Sequence, residues 1–531
     1  MNGASTPETP IDASAHDGSL RQASANTAKS VLIQFVSLCT TLVDRIFLAA
    51  ILIRFWGTEG FSDWTTIVSA AGIVLIAEFG FQQFVGNQLL KAHFRERSRA
   101  FDRLVGWAVF TSLAIGLFVT VVIALVAVWT PLASLLHLYD AEFVPALLIL
   151  CVSNMLKVVR GPILQVYRGL GEFHSFIWAD ARATMASVLL AIAAVMLDAG
   201  VIVVAAIYLL ATFVASIAWS LRDIARRFPH VRFRPLLPGW RPTARGLLAL
   251  RWYGLFFVLS TVMQSAPILI IAMLGMSGQL LASFAVERTL VNFVRTVAFG
   301  ISNAAGAELS VLNIRGNADG FLRGLRLLGR LNSCLAALAV SGLYLFNDTI
   351  VRAWTGQANL ATPAVLALLL IPAIAVAPAL ALQQAAVMLD KVRAQSLASA
   401  LSAFIAIGGG IVLGKLYGIV GIAAAAAAGE TLAIGIIAPL SAAKDLRISY
   451  LPVAFHSAVA FIATLAWGGL TGWVIEQAPL GTSLAGAVVR MAAWGAVACL
   501  PAAWLCSPPA MRRQLIDRLT QQARFTHKVG K

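Results

Sequence analysis

Long apolar runs alternate with short polar segments over most of the chain. Fourteen of these runs approach the roughly twenty residues that a helix needs to cross about 30 Å of hydrocarbon. The predicted spans are Ser30–Ile53, Thr65–Leu90, Leu104–Trp129, Phe143–Tyr167, His174–Leu197, Gly200–Leu221, Trp252–Leu274, Leu280–Leu312, Leu325–Phe346, Ala361–Leu389, Ala394–Leu413, Tyr417–Leu440, Leu451–Val474 and Leu484–Cys506. The pattern predicts an all-α polytopic membrane protein of about fourteen transmembrane helices.

Composition supports the same fold class. Hydrophobic residues make up 59% of the 531 residues and charged residues only 12%, whereas a soluble domain carries roughly 25% charged residues. The first residues are rich in Ser, Ala and Thr and lack the basic-then-apolar order of a secretory signal. We therefore expect a cytoplasmic tail over residues 1–29 and a function carried out inside the membrane.

The formal net charge of +16 is concentrated in alternate loops. Basic residues cluster in 91–99, 222–245, 315–330 and 512–531, while the intervening loops hold almost none. Cytoplasmic loops of membrane proteins carry this excess of Lys and Arg. The pattern predicts a bacterial inner-membrane protein with both termini in the cytoplasm. It also predicts attraction to anionic membrane lipids and no nucleic-acid partner.

The chain shows signs of an internal repeat. A shift of 218 residues places Gly57 and Gly60 on Gly275 and Gly278, and Gly200 on Gly418. Six spans per half predict two parallel six-helix repeats with a central cavity between them, followed by an additional C-terminal helix pair. The predicted organisation is a tail (1–29), an N-terminal lobe (30–221), a basic cytoplasmic linker (222–251), a C-terminal lobe (252–440), the helix pair (441–506) and a basic tail (507–531).

Polar residues inside the predicted spans are the functional candidates, because a charge near the bilayer centre costs a few kcal/mol. Arg288, Asn292 and Arg295 follow one another at spacings of four and three, which places them on one helical face. Guanidinium groups facing a cavity suit a phosphate or carboxylate. The candidates for an anion-binding cavity are Arg45, Lys157, Arg160, Arg182, Arg251, Arg288, Asn292 and Arg295. Alternatively, some of them reach the lipid headgroups or form buried pairs that only pack helices.

Membrane-embedded carboxylates are candidates for binding a coupling proton or sodium ion. They are Asp44, Glu78, Glu287 and Glu430; the alternative is a hydrogen-bonding role in helix packing. The few histidines show no pair at metal-ligand spacing, and the chain has no Walker lysine loop and no serine with a nearby base. We therefore expect no metal, no cofactor and no catalytic residues, and the chain is not predicted to be an enzyme.

Several segments resemble a known family. RFWGTEGFSDWTTIVSAAG, EFGFQQFVGNQL and GLGEFHSF in the first half, and LGMSGQLLASFAVERTL and KLYGIVGIAAAAAAGE in the second, resemble the polysaccharide-biosynthesis (Wzx-type) flippases of the multidrug/oligosaccharidyl-lipid/polysaccharide exporter superfamily. The resemblance implies translocation of an undecaprenyl-diphosphate-linked oligosaccharide, an O-antigen or exopolysaccharide repeat unit, by ion-coupled alternating access. It also implies a glycan polymerase and a chain-length regulator as partners.

Two other functions compete with this interpretation. Multidrug or cation antiporters of the same superfamily are expected to have cavities lined by acids, which the cationic bias of the intramembrane residues disfavours. A membrane-embedded glycan polymerase or glycosyltransferase would need a large outer loop, and the longest predicted outer loops, 130–142 and 347–360, are short.

Overall fold

The computed structural model describes residues 40, 43–94, 98–140, 142–231, 233, 250–314, 316–389, 391–477 and 484–506. The predicted tails 1–29 and 507–531 lie outside these ranges, as does most of the predicted linker. Every regular element within the described ranges is a helix. The predicted all-α class is confirmed.

Eleven helices of the described part are long and apolar enough to cross a membrane. Two of them, Leu48–Glu78 and Arg393–Asp445, each contain two helices joined at a glycine with a non-helical backbone, Gly57 and Gly418. Dividing the chain at these glycines, and adding the 36-residue helix Gln279–Ile314, gives fourteen helices. The protein is an all-α polytopic membrane protein.

The fourteen helices are numbered in chain order. They are α1 (43–56), α2 (58–94), α3 (Ser98–Trp129), α4 (Phe143–Gly169), α5 (Phe173–Met196), α6 (Val201–Arg227), α7 (Arg251–Met273), α8 (Gln279–Ile314), α9 (Ala318–Leu345), α10 (Pro363–Met388), α11 (393–417), α12 (419–445), α13 (Leu451–Glu476) and α14 (Leu484–Cys506). A short helix, Asn347–Thr355, lies between α9 and α10.

Backbone irregularities recur at the 218-residue shift that relates the two halves of the sequence. Gly57 ends α1 with φ 72°, and Gly275 follows α7 with φ 73°. Side chains other than glycine rarely adopt this left-handed conformation, so a glycine is favoured at each turn. A π-helical segment begins at Thr212 in α6, and another begins at Glu430 in α12. The two halves thus share local geometry as well as helix order.

Helix α2 is not the continuous span that the sequence predicts. It narrows to a 3₁₀ turn at Val74–Glu78, passes through Phe79 and Gly80 with φ of 48° and 65°, and resumes as α-helix at Phe81. The prediction of one uninterrupted helix over Thr65–Leu90 is wrong at this point. The break turns the Phe79 ring toward α7, where it packs on Gly254.

The two halves meet where α1 and α2 pack against α7 and α8. At the end of the bundle that contains the Gly57 turn, here called the Gly57 end, the Trp354 indole N–H donates to the Ile46 carbonyl at 2.6 Å. At the opposite end, which contains the Gly171 turn, the contact is the one between Phe79 and Gly254. The last pair, α13 and α14, packs mainly on α9.

Candidate functional site

The first half holds a cluster of charged side chains between α4, α5 and α6. Arg160 Nη2 lies 2.7 Å from Asp180 Oδ1, and Arg160 Nη1 donates to Ser216 Oγ at 3.2 Å. One turn earlier on α4, Lys157 Nζ donates to Asn154 Oδ1 at 3.0 Å. The three-residue spacing of Lys157 and Arg160 places both cations on the side of α4 that faces these partners.

Two further predicted acids belong to the same cluster. Asp44 Oδ1 accepts a hydrogen bond from the Tyr208 hydroxyl at 3.2 Å, and Asp44 lies near enough for its charge to act on Lys157. Glu78 lies near enough to Arg160 for the two charges to interact. The cationic bias expected of the intramembrane residues therefore does not describe this cluster, in which two described cations face three acids.

The second half holds a small cavity between α7, α8, α10 and α12, with a volume of about 20 Å³, which is room for about one water molecule. Arg288, Asn292 and Arg295 all line it, so the predicted stripe along α8 lies on one wall. The opposite wall carries Glu430, whose carboxylate pairs with Arg295 at 2.9 Å. The cavity is lined by Met263, Pro267, Phe284, Arg288, Val291, Asn292, Arg295, Leu369, Pro372, Ala426, Ala427 and Glu430.

The electrostatics of this cavity favour an anion. Arg288 Nη2 donates to the Met263 carbonyl at 3.1 Å, and Arg295 shares the carboxylate of Glu430. Two guanidinium groups and one carboxylate leave one more cation than acid on the walls. A phosphate or carboxylate could enter only if these helices separate. It would then meet charge-assisted donors in a setting where most other walls are apolar, which strengthens each interaction.

Two of the predicted binding residues lie apart from both clusters, and the side chain of a third lies outside the described part of the chain. The Arg182 guanidinium lies over the Trp219 ring at 4.5 Å and donates from Nε to the Ala215 carbonyl at 3.1 Å. Arg251 is exposed at the first residue of α7, beside the ring of Trp252. Arg251 thus has the position expected of a cation that reaches the headgroups. The side chain of Arg45 lies outside the described part of the chain.

Glu287 is separated from its neighbour Arg288 by the helical twist. Although the two residues are consecutive on α8, Glu287 points away from the cavity toward Asn347 and Thr362. Consecutive helical residues point about 100° apart, so adjacent charges reach different surroundings. Among the predicted ion-coupling acids, Asp44 and Glu78 therefore belong to the first-half cluster, Glu430 to the cavity, and Glu287 to a third location.

One partly buried cation was not singled out from the sequence. Arg168, near the end of α4, donates to Gln83 Oε1 at 2.8 Å and to Asn87 Oδ1 at 2.9 Å. Both partners are neutral amides on α2. In the sequence Arg168 resembles an ordinary basic residue at a helix end, and only the run of Gln82, Gln83 and Asn87 indicated that α2 has a polar face.

Comparison with known proteins identifies the fold. No family model matches the chain, and no curated protein matches it in sequence. Among solved structures, a lipid II flippase MurJ in an inward closed conformation matches with a TM-score of 0.62 and 13% identity, covering 93% of this chain and 99% of that chain. An inward-facing multidrug resistance MATE family transporter of the MOP superfamily matches with a TM-score of 0.62 and 15% identity, over 78% of this chain and 98% of that chain.

A third similar structure is a MOP superfamily transporter from Pyrococcus furiosus, described as having a binding pocket of reversed polarity. It matches with a TM-score of 0.58 and 14% identity, over 80% of this chain and 95% of that chain. At these identities the similarity is one of fold. The protein has the helical fold that the MurJ flippase and the MATE transporters of the MOP superfamily share.

Proposed function

We propose that the protein is a flippase that moves an undecaprenyl-diphosphate-linked oligosaccharide across the bacterial inner membrane by alternating access between its two six-helix lobes. In this proposal both termini are cytoplasmic and the Gly57 end faces the periplasm. A glycan polymerase and a chain-length regulator would act on the product. Ion coupling would involve one of the buried acids.

The observation that carries the proposal is the cavity of the second half. Its walls present Arg288 and Arg295 from one helical face, with Asn292 between them and a single acid opposite. A diphosphate offers several charged oxygens to such donors, and a guanidinium can bind two of them at once. Apolar side chains make up most of the remaining lining, which reduces the screening of these charges by water.

The extent of the structural similarity supports a lipid-linked substrate. A match covering 93% of the chain must extend into the last helix pair, because the residues before Leu451 make up a smaller share than that. The match to the MATE transporter, at 78%, does not require the pair. The chain thus shares with the lipid II flippase structure more of its length than it shares with the drug transporter.

Export of a cationic drug is the competing function, and the carboxylate of Glu430 in the cavity is the observation that favours it. An organic cation would displace Arg295 from that carboxylate. The two functions predict opposite effects of Arg288 on substrate binding, since an arginine in the cavity attracts a diphosphate and repels a cation.

The test is leaflet transfer in reconstituted vesicles that contain a fluorescent diphosphate-linked prenyl glycolipid. Wild-type protein is expected to move the lipid between leaflets, and Arg288→Gln to slow transfer about ten-fold or more, since a hydrogen bond to a charged group is worth about 1.5–3 kcal/mol. Arg323→Gln, the same change at an exposed position of α9, is the matched control and should retain the wild-type rate.

Two results would contradict the proposal. If wild-type vesicles transfer no glycolipid under any imposed ion gradient, the flippase function is wrong. If Arg288→Gln leaves glycolipid transfer unchanged but accelerates export of a cationic dye from the same vesicles, drug transport is the better description.

A further inference from the structure

Glu287 lies at the centre of a buried polar site that is separate from the cavity. Its side chain is 0% exposed. Oε1 accepts two hydrogen bonds, one from Asn347 Nδ2 at 2.8 Å and one from the Thr362 backbone N–H at 2.8 Å. The three residues come from α8, from the start of the short helix Asn347–Thr355, and from the residue before α10. A carboxylate thus ties together three segments at the Gly57 end.

Each of these three residues also carries a buried oxygen without a hydrogen-bond partner among the described residues. The oxygens are Glu287 Oε2, Asn347 Oδ1 and Thr362 Oγ1. Asn347 is itself 4% exposed. Glu287 Oε2 belongs to the carboxylate itself, and Asn347 Oδ1 and Thr362 Oγ1 belong to the two residues that donate to Glu287 Oε1, so the three oxygens come from one hydrogen-bonded group of residues.

Without a ligand, this arrangement lowers the stability of the folded protein. An unsatisfied buried polar atom costs about 1–3 kcal/mol, and a buried charge costs more unless it is paired or coordinates a metal. In the described structure Glu287 receives only neutral donors, and three acceptor oxygens of one site remain without donors. A bound cation would satisfy the charge and the acceptors together, because it requires oxygens and no donors.

We propose that Glu287, Asn347 and Thr362 form a binding site for one monovalent cation of the size of Na⁺. One carboxylate with two neutral oxygens balances a single positive charge. A divalent ion in an all-protein site draws on more carboxylates. The site differs from the anion cavity in its residues and in its charge, and it does not depend on which substrate the protein carries.

The position of the site links the cation to the contact between the two halves. The short helix that begins at Asn347 also carries Trp354, whose indole donates to the Ile46 carbonyl of α1. Val351 of the same helix and Leu360 after it are fully buried in a core shared with Leu48 and Leu52 of α1. When Asn347 and Thr362 are fixed against α8, the short helix between them is fixed as well, and this helix contacts α1 at the Gly57 end. Cation binding is expected to favour closure at that end.

The experiment measures thermal unfolding of the purified full-length protein in chloride salts of Na⁺, K⁺, Li⁺ and choline at constant ionic strength. A saturable rise of the midpoint with Na⁺ over choline is expected, because a ligand that binds only the folded state stabilises it. Thr362→Val removes one oxygen and keeps both the shape and the backbone N–H, and it should raise the Na⁺ concentration for half-maximal effect several-fold. Glu287→Gln should abolish the effect.

Glu59→Gln is the matched control, since Glu59 is an exposed acid at the same end, and its Na⁺ response should equal that of the wild type. A response that persists in Glu287→Gln would place the cation elsewhere. No Na⁺ response in the wild type, with Glu287→Gln more stable in every salt, would instead show that Glu287 is a protonated structural group. Either result overturns the site. Neither bears on glycolipid transfer, which is measured separately.

Discussion

Adding one methyl group at Gly254 should separate the two halves at the Gly171 end. A Cβ at this position would lie 2.1, 2.3 and 2.5 Å from three atoms of the Phe79 ring, whereas ordinary contact begins at 3.4 Å. The ring would have to move by about 1.3 Å or more, and since Phe79 is 40% exposed, that movement can take place only toward the open side and away from Gly254. Such overpacking typically costs about 1–3 kcal/mol.

This free-energy cost is expected to destabilise only the conformation in which the Gly171 end is closed. Separation of the halves at the Gly171 end would take the Phe79 ring away from Gly254 and remove the clash with the added methyl group. Gly254→Ala is therefore expected to shift the balance from the closed to the open conformation at that end by roughly 5- to 150-fold, since 1.4 kcal/mol corresponds to a factor of ten. The same substitution should not reduce expression, because alanine favours the helix by about 1 kcal/mol over glycine.

Double electron–electron resonance between spin labels at exposed Arg222 and Lys391, one in each half, would measure the distance between the halves. Gly254→Ala should move the distance distribution to longer values. Gly469→Ala is the control, because a Cβ at Gly469 meets nothing within 4 Å and the helix-forming gain is the same. The double variant Phe79→Ala/Gly254→Ala should lose the clash energy. An identical distribution for Gly254→Ala and Gly469→Ala would refute the idea that Phe79 and Gly254 form the contact that closes this end.

Two other substitutions test the polar contacts. Glu430→Gln should remove the charge that pairs with Arg295 and lower stability by about 1–3 kcal/mol while strengthening the binding of inorganic pyrophosphate, an anionic probe of the cavity; weaker pyrophosphate binding would contradict the assignment. Asp63 is 1% exposed and accepts backbone N–H bonds from Tyr139 at 2.8 Å and Asp140 at 3.2 Å. Asp63→Ala should cost about 2–4 kcal/mol in thermal unfolding, and an unchanged midpoint would show that those amides find other partners.

The helical architecture could be predicted from the sequence because it depends on local properties. Apolar runs of bilayer length locate the helices, and the coincidence of Gly57 with Gly275 falls on two turns that need a positive φ. The stripe of Arg288, Asn292 and Arg295 follows from helical periodicity alone, and the structure places all three on one cavity. Each of these features is contained in a single stretch of chain.

The partners of the charged residues could not be predicted, because they depend on packing between distant helices. Asp180 and Arg182 lie two residues apart on α5, yet Asp180 pairs with Arg160 of α4 while Arg182 turns to Trp219 of α6. The sequence could count the cations in the spans but could not say which of them meets an acid. The break at Phe79 was missed for a related reason, since its conformation is supported by contact with Gly254 of the other half.

The distribution of charge between the halves suggests a division of labour in the proposed cycle. In the first half, Lys157 and Arg160 are surrounded by acids, so an anionic substrate gains little there. The second half combines a cavity with excess positive charge and, at the Gly57 end, an acidic site suited to a cation. Alternating access requires the contacts at the two ends to break in turn. At the Gly57 end, the short helix that contacts α1 through Trp354 and a buried apolar core begins at Asn347, beside the proposed ion site. At the Gly171 end, the contact between Phe79 and Gly254 involves no ionisable group. Any ion dependence of the cycle should therefore arise at the Gly57 end.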